Sequence, residues 1–129
     1  MTIDNLWGEL PGPEATESPL AILREQAQLL GENTNFDLLG KVRSERSQGY
    51  LETELSIQAP ALNNYEISLA QARHEALMYP VQLYDLLETG FDWIECIDEA
   101  AFKVGLGTIL RSPKVQKVIA SLLAQVRGG

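Results

Sequence analysis

His74 is the only histidine and Cys96 the only cysteine of this 129-residue chain. A nucleophile activated by an imidazole therefore has a single candidate base. Nothing in the sequence orients His74 for that task. Its neighbour Glu75 points to the opposite face if a strand runs that far, and sideways if Ala70–Met78 is helical. Cys96 lies between Ile94 and Ile97 and reads as a small buried hydrophobe rather than a reactive thiol. G-x-S-x-G, Walker A, H-E-x-x-H and G-x-G-x-x-G patterns are all missing, and Gly105-Leu106-Gly107 sits inside an expected helix.

Paired carboxylates are the other route to acid–base chemistry. Glu52 and Glu54, two apart on an expected strand, would stand about 7 Å from each other, a separation that inverting glycosidases use. Alternating glutamates are also the ordinary dress of a wet sheet face, and so small a sheet leaves little room for a sugar. The glycosidase reading is therefore set aside. Asp92, Glu95, Asp98 and Glu99 offer oxygen ligands without the D-x-[DN]-x-[DN]-G spacing that wraps calcium. A lone cysteine excludes an internal disulfide and any Cys-clustered metal site. The expectation is a chain with no catalytic residue, no cofactor and no metal.

Two constellations remain. The tyrosines at 50, 65, 79 and 84 cluster in the strand-forming region, where Tyr65, Tyr79 and His74 would line a ligand crevice between sheet and helices. More commonly such tyrosines close a core edge with the hydroxyl in water. The second constellation is a run of charge. The net charge of −8 divides into −5 over residues 1–35, −2 over 36–84, −6 over 85–102 and +5 over 103–129. Within residues 85–99 there is no base, and Glu88, Asp92, Glu95 and Asp98 interleave with Phe91, Trp93 and Ile94. Charge with aromatic anchors is the composition of a partner-binding patch; a solvated connector is the blander account.

The elements that must position these residues follow from periodicity. Residues 1–17 hold four acids, no base and Pro11-Gly12-Pro13, and read as an extended arm in which Trp7 packs on its own domain. Ser18-Pro19 caps a first helix whose stripe is Leu20, Leu23, Ala27 and Leu30, with Gly31 as its C′ residue. Period-two alternation then marks Phe36–Val42, a turn at Arg46–Gly49, Leu51–Gln58, Tyr65–Ala70 and a fourth strand from Val81 to Leu86 or Leu87. Asp98 and Ser112-Pro113 cap two further helices, the first with Gly105 and Gly107 allowing close approach to the sheet. The expected fold is α+β: two layers, a four-stranded antiparallel sheet packed by the N-terminal helix and two C-terminal helices, in one domain over 18–129.

No run of about 18 apolar residues is available for a membrane span, and the acidic start lacks the basic, apolar pattern of a secretory signal. A cytoplasmic chain is expected. Its acidity argues against nucleic acid as a partner, although the last 27 residues alone are basic. The functional expectation is a non-catalytic interaction or accessory protein, of immunity type for instance, with a basic protein partner met by residues 85–99. The alternative is a small-ligand-binding or cryptic enzymatic domain using the Tyr65, His74 and Tyr79 crevice. The wide apolar stripe of the last helix also offers a face for a homodimer.

Overall fold

The computed structural model describes residues 3–88 and 92–128. Residues 3–17 form no helix or strand, and every side chain from Ile3 to Thr16 is exposed. Trp7 lies open to solvent, so the arm does not pack it on the domain as expected.

α1 (Pro19–Asn33) starts where the sequence places it, with the Ser18 hydroxyl accepting from the Ala21 amide at 3.1 Å. It runs past Gly31 to a cap at Thr34, whose hydroxyl donates to Leu30 O at 2.9 Å and accepts from Leu38 N at 3.2 Å. Gly31 therefore lies inside the helix, and a Cβ there would lie 3.2 Å from the exposed Phe36 ring.

Five antiparallel strands follow, in spatial order β1 (Leu39–Ser47), β2 (Tyr50–Ala59), β3 (Tyr65–His74), β4 (Val81–Asp85) and β5 (Trp93–Cys96). The four-stranded expectation is corrected by β5, which lies within the acidic segment read as a connector. The first strand begins at Leu39 rather than Phe36, because Asn35 and Phe36 adopt positive φ and turn the chain. Gln48 and Gly49, both at positive φ, form the two-residue β1–β2 turn that matches strand twist. A single 3-10 turn (Pro60–Leu62) and Asn63-Asn64, at φ 63° and 58°, lead into β3. The Tyr79-Pro80 peptide before β4 is cis.

The pairing of β2 with β3 changes register between Leu55 and Ser56, leaving Leu69 as an extra residue on β3. Up to the bulge, Tyr65 and Ile67 share a face with their partners Ala59 and Ile57; beyond it, Ala70, Ala72 and His74 share that face with Leu55, Thr53 and Leu51. Leu69 itself is buried.

All three helices cover one side of this sheet. α1 crosses β1 and β2, α2 (Glu99–Leu110) lies over β3, β4 and β5, and α3 (Pro113–Gly128) packs against α2 and the 3-10 turn. The core between the layers gathers Ile22, Leu23, Leu38, Ile57, Val81, Leu83, Phe102 and Val115, all essentially buried. α1 approaches β1 closely because Gly40 presents no side chain beneath Ala27. Gly105 does the same for α2, since a Cβ there would meet Leu83 at 3.0 Å. Gly107 has a different neighbour, the Arg111 guanidinium. No helix among the described residues is long and apolar enough to cross a membrane.

Candidate partner-binding surface

The side of the sheet away from the helices is open, and strand register sets its rows. One row runs Glu45, Glu52, Arg73, Gln82, Glu95; the next runs Arg43, Glu54, Gln71, Tyr84, Trp93. Much of the first row is neutralised internally. Gln71 donates to Glu52 at 2.5 Å, Arg73 Nε stands 3.6 Å from Glu52, and its guanidinium lies 3.9 Å over the Tyr50 ring. Arg43 pairs with Glu66 at 2.8 Å. Glu52 and Glu54 stand together on this face, both half-buried, with Glu52 engaged by Gln71 and Arg73.

The β5 end of the rows is different. Trp93 is 51% exposed and leans over Tyr84, with ring centres 5.8 Å apart. Ile94, on the opposite face of β5, is 53% exposed, and Ile97 beyond the strand is exposed as well. Glu95 and Asp92 are exposed beside them. Among the described residues β5 pairs only with β4, so its outer backbone edge has no strand partner among them. β1, the other edge, carries Lys41, Arg43, Glu45 and Arg46, the charges that ordinarily discourage further strand pairing.

Of the residues expected in an acidic patch, Trp93 and Glu95 are thus brought together on one strand, with Asp92 immediately before it. Glu88 is exposed beyond β4, where its amide donates to Asp85 at 3.4 Å. Asp98 has a local duty: its carboxylate accepts from the Ala101 amide at 2.8 Å and caps α2. Phe91 lies outside the described residues.

The crevice residues do not form one site. Tyr65 and His74 occupy opposite ends of β3, about 30 Å apart for a strand of this length. His74 Nδ1 lies 2.6 Å from Glu75 O and 3.2 Å from Leu77 O, so the ring N–H ties down the turn after β3. His74 and Tyr79 do border a cleft of about 370 Å³ together with Arg73 and Glu95. Sequence reasoning missed Arg73 and its stacking on Tyr50, which joins residues 23 apart and leaves no local pattern. It also missed a larger groove of about 700 Å³ between α3 and the start of β3, where Tyr65 meets Lys114 and Lys117. The readable clue was helical spacing: Lys114, Lys117, Val118, Ser121, Leu122 and Gln125 share one face of α3.

Comparison with protein-family models, curated proteins and solved structures gives no match for this chain. The geometry stands alone. Among the described residues no three His, Cys, Asp or Glu side chains gather to hold a metal ion. Cys96 is buried, and that burial, with Asp98 nearby, pushes its thiol pKa up, away from the reactive thiolate.

Tyr79 packs edge-on against Phe102 and donates to the Glu17 carbonyl at 2.9 Å, fastening the root of the arm. Lys103 bridges Glu17 and Glu99 at 3.2 and 3.6 Å beside it. Burial, then the Glu99 and Glu17 carboxylates, push the Tyr79 pKa up to about 12. An unfolded tyrosine ionises near about 10. Between these values the unfolded chain holds fewer protons than the folded one, so stability falls as pH rises. The contribution of neutral Tyr79 is whole below about pH 10 and is lost as pH climbs through about 12. Urea midpoints across that window should fall less steeply in Tyr79→Phe than in the parent; equal slopes would assign the fall to other groups.

Proposed function

We propose that this chain is a non-catalytic accessory protein that receives a basic, strand-forming segment of another protein along the β5 edge. The observation that carries the reading is a short, unpaired edge with half-exposed Trp93 and Ile94 on its two faces and Asp92 and Glu95 among them. An edge strand offers a row of free amides and carbonyls, and alternate side chains on either face supply selectivity. Trp93 is the anchor; a large aromatic ring at the centre of a contact typically carries a disproportionate share of binding. The carboxylates draw a cationic partner and set its register.

The test is capture of binding proteins by the parent chain and by an Asp92→Lys/Glu95→Lys variant of unchanged circular dichroism, at low and high salt. A partner of the parent should be lost to the double variant and weaken as salt screens the contact. Trp93→Ala should weaken the same partner about thirtyfold or more. Equal capture by parent and charge-reversed protein overturns this placement of the interface.

A further inference from the structure

The α3 groove and the N-terminal arm are two surfaces of complementary character, each uncovered among the described residues. In the arm, Ile3, Leu6, Trp7 and Leu10 are 87%, 92%, 80% and 65% exposed. The segment is irregular in the free chain, but its spacing of three, one and three residues would put all four on one face were it to coil into a two-turn helix on binding, with Pro11 ending it. Asp4 and Glu9 lie between them, and residues 1–17 contain no base. The groove has an apolar floor of Leu62, Ile67, Val118 and Leu122, walled by Tyr65, with exposed Lys117 along one side beside Lys114, whose ammonium donates to Leu87 O. Residues 103–129 hold five bases and no acid. An amphipathic acidic segment and an apolar groove edged by lysines are the two halves of a helix-in-groove contact.

We infer that the groove is occupied by the Ile3–Leu10 segment of a second copy, giving a reciprocal dimer in which each chain lends its arm to the other. The arm's own chain is poorly placed to fill it. Glu17 is anchored to Tyr79, Glu99 and Lys103, at the end of the sheet where β3 finishes, whereas Tyr65 begins β3. The length of β3 is about 30 Å. The seven residues from Leu10 to Glu17 span at most about 25 Å when fully extended. That leaves no slack for Ile3–Leu10 to lie against Tyr65. A second copy has no such limit, and exchange across a two-fold axis satisfies both grooves at once. Trp7 would enter the floor, and Glu9 would face Lys117, with Asp4 on the opposite flank of the helix.

Light scattering over a dilution series tests this directly. The expected mass is twice the 14.3 kDa of one chain at high concentration, falling to one chain on dilution. Trp7→Ala should weaken self-association by about thirtyfold or more. Lys117→Glu, at an exposed position, should weaken it without disturbing the fold, and adding Glu9→Lys should restore it. In a Trp93→Phe background the remaining Trp7 emission should shift to the blue as the dimer forms. A monomer at every concentration overturns the proposal, as does a dimer indifferent to Trp7→Ala. Blue-shifted Trp7 in a monomer would make the occupant the chain's own arm, and failed charge rescue would remove the lysines from the contact.

Discussion

Adding one methyl group at Gly40 should destabilise the protein by about 3 kcal/mol, the upper part of the range for overpacked cores. Gly40 sits on the helix-covered side of β1, opposite buried Ile57. A Cβ there would lie 2.3 Å from Ala27 Cα, 2.5 Å from Ala27 Cβ and 2.6 Å from Ala27 O. Two of those three atoms are backbone, so no side-chain rotation relieves the clash; α1 itself must move away from the sheet. The shift would open contacts of Ile22 and Leu23, which the same helix buries. Urea unfolding of Gly40→Ala measures the loss. Ala27→Gly in the same chain removes only the Cβ contact and costs helix propensity of about 1 kcal/mol, so the double variant should be no more stable than the single. A midpoint unchanged by Gly40→Ala, or restored by Ala27→Gly, would show that α1 is not seated on the β1 backbone.

Phe102→Ala should cost about 3–5 kcal/mol, a large part of the roughly 5–15 kcal/mol that holds a domain together. Phe102 is wholly buried beneath α2 and meets Tyr79 edge-on, with centroids 6.4 Å apart and planes at 61°. Such a pair adds about 0.5–1.5 kcal/mol beyond the area it covers. Phe102→Leu keeps most of the apolar volume and loses the ring geometry, so it should fall between parent and alanine. The expected drop in melting temperature for Phe102→Ala is roughly 10–20 °C. A loss within about 1 kcal/mol would mean that the site collapses around the missing ring, contrary to close packing. Because Tyr79 also holds Glu17, Phe102→Ala should loosen the root of the arm as well as the core.

What the sequence made legible was what is decided locally. Ser18-Pro19, Asp98 and Ser112 each cap the helix that follows, because a cap needs only an oxygen three residues from an amide. Gln48-Gly49 and Asn63-Asn64 turn the chain where turn residues stand together. The departures come where a distant contact decides. Gly31 resembles a helix end, but α1 continues through it to a cap at Thr34, beside the ring of Phe36. Phe36 resembles the first inward residue of a strand, yet its positive φ turns it out into solvent. β5 has apolar side chains on both faces among acids, so it carries no clean period; β4 alongside makes it a strand. The acid-and-aromatic composition of the candidate surface was readable, whereas the edge that gives it geometry was not. The α3 groove was the least legible, being formed between a helix and a strand about 50 residues apart in sequence.

The extra residue at Leu69 has an effect that reaches well past its own position. Strict alternation continued back from Ala72 and Ala70 would aim Ser68 and Glu66 at the helices and turn Ile67 and Tyr65 away. One inserted residue resets the phase, so two half-strands with opposite parity both present their apolar members to the same layer. The floor and wall of the α3 groove therefore depend on where the ladder absorbs Leu69 as much as on residue types. Pairing Leu69 regularly instead of bulging it would turn Tyr65 and Ile67 to the far side of the sheet, whereas deleting Leu69 would keep them facing the helices on an unbulged strand.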